Sequence, residues 1–252
     1  MTFYDDIADE FAQSRQKSWG EFTFFEKYLK AGQKILDIGC GSGRLYDFLK
    51  EKGINYTGCD SSSKMLAEAE KKHPRGKFLF GDFRDLPFED HSFHVVFAIA
   101  SFHHLMDHHD QNQAAREINR VLKKDGLFCL TVWNLFQKKY RSYLWRDIWP
   151  RIKNGFFPWG VYIPFGSRKI KRSYYAFTPN SLKKVFQFDF LLLEEIMSSG
   201  KKKQEDFNCR NFCFVFRKKT PAKKKVPSLG KLKSLTLEKN ATASRQVMNT
   251  RG

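Results

Sequence analysis

The residues with the clearest chemistry are Asp37, Gly39, Gly41 and Gly43, in the run Ile35-Leu-Asp-Ile-Gly-Cys-Gly-Ser-Gly-Arg44. Apolar residues, an acid and alternating glycines describe a buried strand that breaks into a turn and then starts a helix. Asp60 ends a second strand-like run, Tyr56-Thr-Gly-Cys-Asp60, 21 positions after Gly39. Asp82 ends a third, Phe78-Leu-Phe-Gly-Asp82. An acid at the tip of the second strand, about 20 residues past the glycines, is placed to grip ribose hydroxyls in a nucleotide-type fold. The spacing Gly-x-Gly-x-Gly differs from the Gly-x-Gly-x-x-Gly that seats a pyrophosphate on a helix start. A carboxylate two residues before the first glycine suits an amino group and not a phosphate. The alternative, a nicotinamide- or flavin-binding domain, is disfavoured by that spacing.

Such acids work together only if a parallel sheet brings the strand ends to one edge, and the rest of the chain reads that way. Leu45, Phe48 and Leu49 stripe a helix that ends at Gly53. Ser62 is placed to cap the next helix, with Met65, Leu66 and Ala69 facing inward. Phe93–Ala100 is a continuous apolar run, as expected of a central strand buried on both faces. Ala114, Ile118, Val121 and Leu122 stripe a helix closed by Asp125-Gly126, and Leu127–Trp133 reads as the fifth strand. Thr178-Pro179 starts a short helix carrying Leu182, Val185 and Phe186, followed by strands over Phe190–Met197 and Asn211–Arg217. The expected architecture is α/β: a Rossmann-like sheet of seven strands, five of them parallel, with helices on both faces.

The glycine run resembles motif I of the class I S-adenosylmethionine-dependent methyltransferases. Their cofactor carries an ammonium, a carboxylate and a sulfonium, and no phosphate. The resemblance implies that Asp37 and the backbone of Gly39, Gly41 and Gly43 hold the methionine end. It places Asp60, with Ser61 beside it, on the ribose, and Asp82 with the Phe83 backbone N–H on the adenine. Ala98, near the end of the fourth strand, completes the implied cofactor set.

A narrower resemblance rests on the opening Tyr4-Asp-Asp-Ile-Ala-Asp-Glu-Phe11 with Arg15 and Trp19, the His103-His104 pair, Arg116-Glu-Ile-Asn-Arg120-Val-Leu, and Val132-Trp133. Together with a fainter match at Arg172-Ser-Tyr-Tyr-Ala-Phe177, these are similar to the tRNA methyltransferases that esterify a carboxymethyl group on the wobble uridine. That family includes the domain fused to AlkB-like oxygenases, and its eukaryotic members work with a small zinc-binding activator subunit. The chemistry is consistent with the residue types. A carboxylate is already nucleophilic at neutral pH and requires no general base, so the site must supply placement and charge-matched clamping. Arginine matches a carboxylate bidentately, which makes Arg15 and Arg172 the candidate clamps. His104 is the candidate hydrogen-bond donor to the acceptor, with a structural histidine as the competing reading. His104 and His108 lie four apart, but no third metal ligand is evident, and no metal is expected.

Charge and composition bear on partners. The net charge is +18. Residues 217–252 hold eleven Lys or Arg and one acid, Glu238, while losing aromatics and hydrophobic periodicity. Residues 220–252 therefore read as a disordered basic tail behind a domain over 1–219. Residues 134–177 read as an insert with ten Lys or Arg, one acid (Asp147), and Trp145, Trp149 and Trp159. Aromatics interleaved with cations suit a surface that stacks bases and neutralises phosphates, with tRNA rather than DNA as the expected partner. An aromatic lid over a small carboxylate, lipid or quinone-like metabolite is the competing reading, and a cofactor-binding scaffold without catalysis is a third. Five scattered cysteines, an acidic N-terminus and the lack of an apolar run of about 18 residues argue for a reduced, cytoplasmic protein without signal peptide or membrane span.

Overall fold

The computed structural model describes residues 4–8, 10, 20–146, 159–166, 169–199, 202–204 and 209–220. Arg15, Trp19, Trp149 and the segment past Thr220 lie outside the described residues.

A helical turn, α1 (Phe22–Phe25), continues as a 3-10 turn (Glu26–Tyr28) and leads into alternating strands and helices. These are β1 (Lys34–Ile38), α2 (Arg44–Leu49), β2 (Asn55–Asp60), α3 (Ser63–Lys72), β3 (Phe78–Phe80), β4 (Phe93–Ile99), α4 (His108–Val121) and β5 (Leu122–Trp133). A hairpin of β6 (Gly160–Phe165) and β7 (Ile170–Tyr175) precedes α5 (Pro179–Phe186), β8 (Phe190–Ser199), β9 (Lys202–Gln204) and β10 (Asn211–Lys218). The main sheet runs β3-β2-β1-β4-β5-β10-β8-β9. Strands β1–β5 are parallel, and β10 inserts antiparallel between β5 and β8. The seven expected strands are present, and the three-residue β9 is added at the edge beyond β8.

The period of two along each strand divides the core into two layers. Leu36, Val96, Ala98, Phe128, Leu130, Phe212, Phe214 and Phe216 face α4 and α5, packing on Ala114, Ile118, Leu182 and Phe186. Ile35, Val95, Phe97, Cys129, Cys213 and Val215 face the other way, against Phe22, Phe25, Leu45, Leu49, Leu66 and Ala69. All five cysteines are buried and free, small apolar fillers of these layers. A third cluster, Leu135, Leu144, Val161, Ile163, Tyr174 and Ala176, gives the lobe around the hairpin its own core.

Local signals explain most helix boundaries. The Ser62 hydroxyl accepts from the Met65 amide at the start of α3, and Thr178 with Ser181 forms a reciprocal capping box at α5. One boundary differs from expectation. α4 ends at Val121 and not at Asp125-Gly126, because Leu122 already pairs with Phe93 and Asp125, at φ +57°, makes a turn inside the strand. The last carbonyls there are taken by the Lys218 ammonium of β10, which donates to Asn119 O at 2.6 Å and Leu122 O at 2.8 Å. That cap comes from 96 residues away, so no local reading could place it.

Candidate active site

A cavity of about 280 Å³ opens at the carboxyl ends of the parallel strands, where ligands of such sheets bind. Its floor is the turn after β1. Gly39 N and Cys40 N both donate to Cys59 O, at 2.7 and 3.1 Å. Gly39 sits at φ +71°, and a Cβ there would lie 2.3 Å from Ser101 Cβ, so both conformation and space demand glycine. Gly43 serves packing instead: at φ +77° it lies against His73 and Phe78 behind the loop, and it is not among the cavity-lining residues.

Asp60 staples this loop. Its Oδ2 accepts from Gly41 N at 2.8 Å and its Oδ1 from Ser62 N at 2.9 Å. Burial raises its carboxyl above the usual range, opposed by those amide hydrogen bonds. Asp37 is 2% exposed; its Oδ2 accepts from the Tyr56 hydroxyl at 2.9 Å, while its buried Oδ1 has no hydrogen-bond partner among the described residues. Burial pushes this carboxyl up to about 7, the Tyr56 hydrogen bond opposing and nearby Asp60 adding to the rise. A buried carboxylate oxygen on a cavity wall, left without a donor, is the chemical complement of an ammonium. The residues present therefore fit the methionine end of S-adenosylmethionine.

Further along the edge, Asp82 is engaged by Arg84, with Nε to Oδ1 at 2.7 Å and Nη2 to Oδ2 at 2.8 Å. The arginine holds the Asp82 carboxyl below the usual range. Phe83, edge-on to Phe102 at 5.9 Å, lines the cavity with Ser61. Ala98 corrects the implied set: its side chain is fully buried in the layer under α4, and Ile99 and Ala100 line the cavity in its place. Strand alternation sends position 98 into the core.

The opposite wall comes from distant segments. Arg172, 4% exposed on β7, lies among aromatic faces: 4.4 Å from the Phe165 ring centre, 5.3 Å from Tyr174 and 5.7 Å from Trp133. Trp133 and Tyr174 stack at 5.2 Å. The His104 ring lies 4.7 Å from Tyr174, and its Nδ1 is 2.7 Å from Ser173 O. A carbonyl only accepts, so Nδ1 carries the proton, and Nε2 accepts from the Tyr4 hydroxyl at 2.7 Å. Burial, with the nearby Arg172 charge, lowers the His104 pKa to about 4, so the ring is neutral near pH 7. In this state His104 is an acceptor at Nε2, and its expected donor role toward an acceptor molecule passes to other groups. It sits in a 3-10 turn (Phe102–His104), while His108 begins α4, so the two share no helix face. The described residues also place Asp107, His109 and Asp110 near one another, with Asp107 capping α4 and Asp110 paired to Arg84.

Ser101, whose hydroxyl donates to Ile38 O at 2.8 Å, lines the cavity without any signal in the sequence, and Tyr4 lines it with no signal beyond the Tyr-x-x-Ile-Ala opening.

Comparison with known proteins agrees with this division. Residues 36–130 match a family described as a methyltransferase domain. The demethylmenaquinone methyltransferase of Thermotoga maritima is 36% identical over 135 residues, 50% of this chain and 58% of its own length. The tRNA (carboxymethyluridine(34)-5-O)-methyltransferase of Arabidopsis thaliana is 32% identical over 134 residues, 52% of this chain and 31% of its own. The chain thus spans less than two thirds of the length of either relative. A chain of the solved complex containing the Haloferax volcanii Trm112 methyltransferase activator superposes with a TM-score of 0.66 at 20% identity, over 87% of this chain and 97% of that one. Tyr4, Trp133, Arg172 and Tyr174 all lie outside the matched family segment. Residues 36–130 thus match a methyltransferase domain, the sheet has the fold of solved S-adenosylmethionine-dependent methyltransferases, and the cradle at the ends of β1, β2 and β4 fits that cofactor.

Proposed function

We propose that the chain methylates a carboxylate, forming a methyl ester on a carboxymethyl-modified wobble uridine of tRNA. The observation that carries this reading is Arg172, a guanidinium almost fully withdrawn from water on the wall facing the glycine loop. A buried cation on the acceptor side suits an anionic acceptor, and its aromatic neighbours hold the fork in a fixed plane. The cofactor supplies an electrophilic methyl group. With the cofactor held by Asp37 and the glycine loop, Arg172 would hold an acceptor carboxylate toward that methyl group, and an already ionised carboxylate would require no residue of the site to take a proton. Burial, which lowers the His104 pKa to about 4, makes it a weak base, in agreement with a step that needs none. The ester product has lost the charge that Arg172 held, which favours its release.

RNA as the carrier of the carboxylate is supported by the lobe bearing Arg172. Residues 134–146 and 159–177 contain eight Lys or Arg and no acid, and they expose Trp145, Trp159 and Tyr162 at 65, 40 and 42%. Cations with exposed rings suit phosphates and unstacked bases. The Arabidopsis relative acts on such a uridine by its name, and an activator subunit like that of the Haloferax complex is the partner this reading implies. The reading places the reaction in the cytoplasm.

The Thermotoga relative favours a second reading, a quinone-like or other small acceptor. Bulk tRNA incubated with methyl-labelled cofactor, alone and with the activator subunit, separates the two. Alkali-labile label in a wobble nucleoside is expected. Alkali-stable label, or label entering only a quinol offered alongside, would overturn the tRNA ester.

A further inference from the structure

Tyr4 and Asp5, neighbours in sequence, fasten to opposite walls of the cavity. The Asp5 carboxylate, 8% exposed, accepts from the Ser62 hydroxyl at 2.7 Å, at the start of α3 and just past the end of β2. The Tyr4 hydroxyl donates to His104 Nε2 at 2.7 Å, just past the end of β4. β2 and β4 flank β1 in the sheet, so the two anchors straddle the glycine loop that follows β1. Ile7 and Ala8, each 3% exposed, bury the continuation of the segment.

Each anchor also leads into one half of the site. From Asp5 the path runs through Ser62, whose amide donates to Asp60, and Asp60 holds Gly41 of the loop. From Tyr4 it runs through His104, whose Nδ1–H donates to Ser173 O, one residue from Arg172. The cofactor cradle and the acceptor wall come from segments far apart in the chain, and this pair of residues joins them.

We propose that Tyr4 and Asp5 are positioning residues that strap the cofactor cradle to the acceptor wall. The seated strap aligns the two halves across the glycine loop, and it must lift before the spent cofactor leaves. The inference rests on the methyltransferase reading above, but its test needs no acceptor.

The test is stopped-flow release of S-adenosylhomocysteine from the full chain, with melting temperatures in parallel. Tyr4→Phe and Asp5→Ala should each speed release at least about fivefold, because freeing either end frees the strap. Asp5→Asn should stay within about twofold of the parent, since its amide oxygen still accepts from Ser62. The double variant Tyr4→Phe/Asp5→Ala should release no faster than the faster single, the non-additivity of a shared element. Tyr4→Phe should melt with the parent; should Asp5→Ala fail to fold, Tyr4→Phe decides alone. Parental release rates in the variants would overturn the strap, as would single effects that multiply in the double while tracking lost stability. Unchanged release with intact tRNA methylation would sink the strap alone, whereas the expected release pattern without any methylated tRNA would sink only the acceptor assignment.

Discussion

Asp37 shows how one buried carboxyl links folding to ligand binding. Its pKa near 7 is set first by burial, with an ammonium as the natural remedy. Between the ordinary aspartate value of about 4 and about 7, the unfolded chain has released a proton that the folded, ligand-free chain retains. The ligand-free fold therefore loses Asp37's contribution as pH rises through that window. A ligand ammonium favours the ionised form, so affinity for S-adenosylhomocysteine should rise with pH over the same window and level off above about 7. Calorimetry in buffers of different ionisation enthalpy should register proton release on binding near pH 6, and Asp37→Asn should abolish it. A flat affinity profile in the parent would mean that Asp37 does not meet the ammonium. Arg172 is the matching test on the other wall. Arg172→Lys keeps the charge but not the fork, and should lower kcat/KM for the acceptor at least about tenfold while leaving S-adenosylhomocysteine affinity within about twofold.

Among the elements, the turn between β1 and α2 and the α4–β5 junction are fixed in opposite ways. The first is local: Gly39 at φ +71° against Ser101 leaves no room for a side chain, so Gly39→Ala should abolish cofactor binding measured by calorimetry while a folded circular-dichroism spectrum persists. The second depends on a distant lysine. Lys218→Met keeps the buried stem but leaves Asn119 O and Leu122 O without their ammonium, and should cost about 1–3 kcal/mol in denaturant unfolding. Cofactor affinity should not change, because the cap lies at the end of the sheet away from the glycine loop. The same contrast explains what is legible: the capping serine of α3 and the Thr178 start of α5 are local signals, and the end of α4, capped by Lys218, is not.

For the whole molecule, charge and aromatic surface make separable contributions to RNA binding. Deleting residues 221–252 removes eight Lys or Arg and one acid. If that segment contributes diffuse charge, tRNA affinity should fall mainly at low salt and the slope of log affinity against log salt should shrink, with turnover at saturating tRNA retained. Trp145→Ala should do the reverse: an unchanged salt slope with a loss of about 1–3 kcal/mol in binding, if the exposed ring stacks on a base. Filter-binding titrations across a salt series measure both. A Trp145→Ala variant that binds tRNA like the parent would remove that ring from the RNA surface.

The sequence by itself determined the cofactor half of this protein. Gly-x-Gly-x-Gly after an apolar strand, and acids at successive strand ends, are local patterns, and a parallel sheet necessarily brings such ends to one edge. Yet the individual contacts needed the fold. Asp60 also staples Gly41, Asp82 is engaged by Arg84, Gly43 packs behind the loop, and strand alternation turns Ala98 inward. On the facing wall the sequence singled out His104 and Arg172, but tertiary structure decided what they touch. Tyr4 meets His104 across 100 positions and His104 meets Ser173 across 69. Contacts of that range leave no periodicity or spacing to read, because packing of the hairpin lobe and the N-terminal segment against the sheet creates them.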